Sequence, residues 1–141
     1  MEKEIDCEIR ELFDKLSARM RRDYGESLRE LNLHVGQDNL LYRLFLDDGV
    51  TQMQLSEHLN CEPPTITNMV KSLEQNGFIY RKRDEKDARA MRIFLTDKGK
   101  ALKDPVRIIW EKHQEKLLKS ISMDERLLLR RLMKQMESNL F

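Results

Sequence analysis

The stretch from Thr51 to Thr96 constrains the fold more than any other part of the chain. It orders a short amphipathic segment, a break, a second amphipathic segment and a charged hairpin. The first segment, Thr51-Gln-Met-Gln-Leu-Ser-Glu-His-Leu59, sets Leu55 and Leu59 four apart on one helix face. Thr51 suits its N-cap, because a threonine hydroxyl accepts a bond from an unpaired first-turn amide. Asn60-Cys-Glu-Pro-Pro64 breaks the pattern. A second helix is predicted from about Thr65 to Asn76, with Ile66, Met69, Val70 and Leu73 as its buried stripe. It starts near Pro63-Pro64. Pro64 is the expected first-turn residue, since Pro63 precedes a proline and is biased towards extended backbone. Asn76-Gly77 supplies a C-terminal cap. Phe78–Arg83 and Ala90–Leu95 then read as two strands, rich in aromatic or β-branched residues and arginine. The loop between them, Asp84–Arg89, is polar apart from Ala88.

The flanks are helical. From Ile5 to about Glu30, apolar residues recur every three or four positions, and Gly25 is the point where this helix is expected to bend or break. Val35 to Asp47 forms a further helix, with Leu40, Leu41, Leu44 and Phe45 inward, and Asp47-Asp48-Gly49 turns the chain. After the hairpin a long helix opens at Thr96 or Asp97, and Pro105 should kink or divide it. Ser122-Met-Asp-Glu125 is a capping box that opens a last helix. Its apolar side carries Leu128, Leu129, Leu132, Met133, Met136 and Leu140. The terminal stripes exceed what a small core needs, which points to packing against a second copy. The expected fold is mostly α (α+β): a winged helix-turn-helix core over residues 36–96 with a two-stranded wing. The flanking helices, 1–35 and 97–141, form a dimerisation region within one domain.

Composition narrows the function. Charged residues make up 36% of the chain, yet the net charge is only +1, so any affinity for a polyanion must arise from local concentration of charge. Cys7 and Cys61 lie far apart, and the cysteines and histidines nowhere form the closely spaced four-ligand set that a structural zinc site needs, so no metal or other cofactor is expected. No catalytic or phosphate-cradling motif occurs, which argues against an enzyme. No apolar run approaches a membrane span and the acidic N-terminus lacks a signal-peptide core, so the cytoplasm is the expected location.

A helix-turn-helix followed by a hairpin can lay its second helix in a major groove with the hairpin alongside. Thr65, Thr67, Asn68 and Lys71 lie off the buried stripe of that helix. Short polar side chains let it approach base edges, asparagine can bond adenine, and lysine reaches phosphate or guanine. Between Arg81 and Arg92 the hairpin carries six basic and three acidic residues. Arg81, Lys82, Arg83, Arg89 and Arg92 are therefore candidates for phosphate contact. Arg89 stands out, since arginine is the side chain commonly inserted into a narrow minor groove. The competing reading is a winged-helix protein-interaction module that does not bind DNA.

Three landmarks carry a family resemblance. They are Leu55-Ser-Glu-His-Leu59 leading to Thr65-Ile-Thr67 and Leu73-Glu-Gln-Asn-Gly77-Phe-Ile; Arg81-Lys-Arg83 with Asp87-Ala-Arg89; and Leu95-Thr96-Asp-Lys-Gly99. In this order and spacing the chain resembles the MarR family of bacterial transcriptional regulators over essentially its full length. The resemblance implies a homodimer, most often a repressor, that reads a pseudo-palindromic duplex. In it Arg89 reaches the minor groove and Asp87 orients it. It also implies a pocket for a small aromatic effector, for which Tyr24, His34, Trp110 and His113 are candidates. Some members sense organic peroxides through a cysteine in the first helix. Cys7 is the redox candidate here, with Tyr24 as a neighbouring tyrosine, although Asp6 and Glu8 oppose a thiolate. The chain departs from the family pattern at Glu62-Pro63-Pro64 and at Asn68, where small polar residues and arginine respectively are common.

Overall fold

A computed structural model describes residues 1–141. Its order is α1 (Glu2–Arg29), α2 (Gln37–Leu46), α3 (Gln52–Leu59), α4 (Pro63–Gln75), β1 (Ile79–Arg83), β2 (Met91–Leu95), α5 (Asp97–Lys100), α6 (Lys103–Leu117) and α7 (Met123–Leu140). The chain divides into two compact units, Met1–Ile109 and Trp110–Phe141.

The first unit holds the core. Leu28, Leu41, Leu55, Ile66, Leu73 and Ile93 are each fully enclosed, drawing on α1, α2, α3, α4 and β2. Phe45, Leu59 and Met69, expected inward, are half-buried at its margin. Local chemistry sets the ends of the helices. Thr51 Oγ1 accepts from Gln54 N (3.1 Å) while Gln54 Oε1 accepts from Thr51 N (2.9 Å), a capping box that starts α3. Asn60 ends α3 in the left-handed region at φ 50°, a conformation asparagine tolerates. Both prolines, Pro63 as well as Pro64, enter the first turn of α4. The first four amides of a helix have no intrahelical acceptor, so two prolines there sacrifice nothing. Gly77 (φ 78°) closes α4 in a Schellman motif, with Phe78 N donating to Leu73 O and Gly77 N to Glu74 O.

Strands β1 and β2 pair antiparallel with Arg81 opposite Ile93. The segment Gly49–Thr51 flanks β2 on its other side, with Ile93 N donating to Val50 O and Gly49 N to Ile93 O, both at 2.9 Å. The sequence pattern marks a turn at Asp47-Asp48-Gly49 and an N-cap at Thr51, but not this pairing.

Two expectations about helix continuity are corrected. Helix α1 runs unbroken through Gly25. One glycine weakens a helix by about 1 kcal/mol, too little to interrupt 28 residues. The helix after the wing does divide, but at Ala101-Leu102, ahead of Pro105. That break puts Pro105 in the first turn of α6, where its missing N–H is harmless.

In the first unit, most of α1 is unburied. Ile5, Ile9, Leu12, Phe13, Leu16 and Met20 are 39–55% exposed and share one face. In the second unit, Ser122 and Glu125 cap α7 reciprocally (3.2 and 2.9 Å). No residue of α7 is buried, and Leu128, Leu132 and Met133 are exposed. No helix is long and apolar enough to cross a membrane.

Glycines 25 and 99 should respond oppositely to alanine. A Cβ on Gly25 meets only Val35 Cγ2 at 3.5 Å. Gly25→Ala should therefore raise stability by about 0.5–1 kcal/mol. A Cβ on Gly99 would drive into the Phe78 carbonyl. Gly99→Ala should therefore lower stability by about 1–3 kcal/mol. Urea unfolding at matched protein concentration reads both, and equal shifts for the two variants would contradict the packing described.

Candidate nucleic-acid interface

Helix α4 exposes Thr65, Thr67, Asn68 and Lys71. The opposite face, through Ile66, Val70 and Leu73, is buried. Thr67 is less available than its exposure suggests. Its hydroxyl donates to Pro63 O (3.0 Å) and accepts from Gln52 Nε2 (2.9 Å). Gln52 thus ties α3 to α4 on the exposed side. No local pattern marks Gln52, because its partner lies 15 residues away.

The wing arginines divide into three that bind neighbouring elements and one that points outward. Arg81 forms a fork with Glu74 of α4, with Nε to Oε2 and Nη2 to Oε1 both at 3.0 Å. Arg92 donates from Nε to Asp84 Oδ1 (2.8 Å) and from Nη1 to Gly49 O (2.7 Å). Arg83 donates from Nη1 to Ala88 O (2.9 Å), closing the loop while leaving its own charge unpaired. Arg89 remains, with its side chain 94% exposed and Nε 3.5 Å from Asp87 Oδ1. The same Asp87 oxygen accepts the Arg89 amide at 3.0 Å. Lys82 and Lys86 are also exposed on the wing.

Asp84, unmarked in the sequence, organises the loop. Besides Arg92 it accepts the Asp87 amide on Oδ2 (3.1 Å), and its own amide donates to Ala90 O (2.9 Å). The Arg92 hydrogen bond above all, with help from the Asp87 and Lys86 amides and the Arg92 charge, holds its carboxyl below the ordinary 3.8; partial burial opposes this. Asp48 is a second unmarked buttress, since its Oδ1 accepts Leu95 N at 2.9 Å. Between the wing loop and α3–α4 lies a cleft of about 760 Å³, lined by Gln52, Ser56, Pro63, Asp87, Arg89 and Met91 among others.

The remaining candidates divide between the two units. Tyr24 is half-buried in the first unit, and burial together with the nearby Asp38 carboxylate pushes its phenol well above the ordinary range. His34 is exposed on the same unit. Trp110 and His113 are half-buried and belong to the second. Cys7 is exposed. It shares unbroken α1 with Tyr24, and at ~1.5 Å per residue the two stand about 25 Å apart in one chain. Cys61 is half-buried in the helix-turn-helix turn, its thiol donating to Leu59 O at 3.4 Å.

The helix-turn-helix and the paired wing behind it define a winged helix-turn-helix protein. The MarR family profile matches residues 35–91. A MarR transcriptional regulator from Methanosarcina mazei Go1 superimposes with a TM-score of 0.83 at 30% identity, over 94% of this chain and 96% of that one. The chain belongs to the MarR family. A MepR–DNA complex from S. aureus superimposes with a TM-score of 0.86 at 26% identity, over 92% and 96% of the respective chains. The organic hydroperoxide resistance transcriptional regulator of Bacillus subtilis (strain 168) is 36% identical over 88 residues, which span 62% of this chain and 60% of that relative. Family membership makes the chain a regulator and not an enzyme.

Asp84 gives the wing a pH dependence of definite sign. Its carboxyl titrates lower in the folded state than in the unfolded chain, so its contribution is complete above the ordinary 3.8 and disappears as pH falls through the folded value. Wing amide protection, corrected for intrinsic exchange, should fall on acidification, and Asp84→Ala should lower it already at neutral pH. Equal protection in variant and wild type would remove Asp84 from this role.

Proposed function

We propose that the chain is a homodimeric, sequence-specific DNA-binding regulator, a repressor whose DNA is a pseudo-palindromic duplex and whose release is triggered by a small-molecule effector. The observation that carries this is the outward-facing guanidinium of Arg89, 94% exposed and across a cleft from α3 and the start of α4, in a fold shared with a protein whose structure includes DNA. Thr65, Asn68 and Lys71 face base edges and phosphates in the major groove, with Thr67 contributing through Gln52. Arg89, oriented by Asp87, enters the minor groove. Lys82 and Lys86 add phosphate contacts, while Arg81, Arg83 and Arg92 hold the wing in shape. This division suits a chain of net charge +1. The attraction to phosphate is local, and the acidic residues near the wing's arginines are their structural partners.

Dimerisation is supported by the exposed stripes on α1 and α7. A two-fold axis would set the two reading helices about 34 Å apart, one turn of duplex. Residues 36–96 then serve as the reading lobe, and 1–35 with 97–141 as the dimerisation region. The effector acts by preferring a lobe spacing that does not match the operator, and its differential affinity shifts the population. Tyr24, His34, Trp110 and His113 are aromatic or imidazole groups suited to a small aromatic acid. A cytoplasmic location follows from this role.

Selection from a random duplex pool should return a pseudo-palindrome. Binding to it should weaken steeply with salt. Arg89→Ala should cost about tenfold or more, and Lys71→Ala should reduce the salt slope by about 1 per subunit. A chain that retards no duplex at low salt would favour the protein-interaction reading. Leu12→Asp in α1 should convert the dimer to monomer in sedimentation; an unchanged dimer would place the subunit contact elsewhere.

A further inference from the structure

We propose that the Glu74–Arg81 pair is a strap that fixes the angle between the reading helix and the wing, so that Arg81 serves DNA binding by placing Arg89 and not by touching DNA. The proposal rests on the DNA-binding reading above and deepens it by giving two residues a positioning role.

Glu74 lies in the last turn of α4 and Arg81 at the centre of β1. Two charge-assisted bonds of 3.0 Å in fork geometry join them, an arrangement that restricts rotation as well as distance. The chain between the two elements is only Asn76–Phe78, and it is already held. Thr96 Oγ1 donates to Gly77 O (2.6 Å), Lys98 Nζ to Asn76 O (2.8 Å) and Thr96 N to Phe78 O (3.0 Å). The base of the wing is therefore a fixed pivot. Strand β2 is held on its outer edge by Gly49–Thr51 and Arg92, so what the strap restrains is the tilt of β1 and the loop relative to α4, and it is the one side-chain ion pair that crosses from α4 to the wing. From Arg81 to the tip of the loop is about five residues, or ~16 Å at ~3.3 Å each. A tilt of about 10° would move the tip by about 3 Å, enough to take the Arg89 head group out of hydrogen-bonding range.

Charge reinforces the geometry. A carboxylate on a helix that approaches phosphates would ordinarily repel them. Glu74 is instead matched by Arg81, and both are partly exposed at 35% and 40%. Exposed pairs contribute little to global stability. The effect of breaking this one should therefore appear in wing placement.

The test uses the full-length protein and a labelled 30-base-pair duplex recovered by wild type from a random pool. Glu74→Gln, Glu74→Asp, Arg81→Ala and the Glu74→Gln/Arg81→Ala double variant are titrated across a salt series. The strap predicts that each single variant weakens binding about threefold to tenfold, and that the double variant is no weaker than the worse single. It also predicts an unchanged salt slope. Glu74→Asp keeps the charge but shortens the reach, so its weakening separates positioning from electrostatics. Tighter binding by Glu74→Gln, or a salt slope reduced by about 0.9 per subunit in Arg81→Ala, makes Arg81 a phosphate contact and overturns the proposal. Amide exchange of β1 and β2 without DNA is the second readout, expected to be several-fold faster in Glu74→Gln. Unchanged exchange refutes the strap. If wild type binds no duplex, the DNA-binding reading fails, and the exchange measurement still decides whether the pair restrains the wing.

Discussion

The carbonyl of Phe78 is the point on which this architecture turns. It accepts the Thr96 amide, and Gly99 packs against it so closely that no side chain fits. The end of α4, the start of β1, the end of β2 and the start of α5 all meet there. The terminal carbonyls of α4 find donors in the segment that returns from the wing: Thr96 for Gly77, Lys98 for Asn76. Lys98 also lies 4.9 Å above the Phe78 ring, adding a cation–π contact to the same junction. A helix end left with bare carbonyls would be costly beside a core. Here the wing cannot form without capping the helix before it. Helix α4 and the wing thus fold as one object, and a side chain on one has a defined position relative to the other.

This coupling explains which wing charges are spent and which are spared. A two-stranded hairpin alone is marginal in water. This one is stabilised at three places by arginine: to α4 through Glu74, to its own loop through Ala88 O, and to the Gly49 carbonyl through Arg92. Arg92 is the most committed, since its Nε also holds Asp84, the residue on which the loop is folded. Three guanidiniums used as braces leave Arg89 at the end of a stiff support. In the proposed role that stiffness matters, because a side chain ordered before binding loses less entropy on entering a groove.

The legible features were those written in short-range chemistry. Periodicity in Ile66, Val70 and Leu73 marked the buried face of α4, and Thr51, Gly77, Thr96 and Ser122 marked helix ends, because caps act within four residues. The family landmarks were visible for the same reason, and the junction at Phe78 shows why Leu73–Gly77 and Leu95–Gly99 occur together. The illegible features were pairings across distance. Arg81, Arg83, Arg89 and Arg92 look alike in a charged run, and only the partners at Glu74, Ala88 and Gly49 separate the three braces from the outward-facing Arg89. Asp84 and Asp48 looked like turn residues because their acceptor roles are set by strand register. Gly25 misled differently. Its local penalty is outweighed by the cooperativity of a long helix.

The exposed faces of α1 and α7 connect this lobe to its proposed partner copy. Six large apolar side chains on one face of α1 are about half-exposed, and α7 buries none of its own. Such faces repeat along the length of a helix, so a second copy can cover them by two-fold contact without any new chemistry. The consequence is mechanical. A seam of leucine, isoleucine and methionine has no directional bonds to fix a single crossing, so neighbouring packings differ by little energy. The lobes themselves are stiff. Flexibility in the spacing of two reading heads would then reside in the apolar seam, and a small ligand would need only modest differential affinity to select a spacing that no longer matches one turn of duplex.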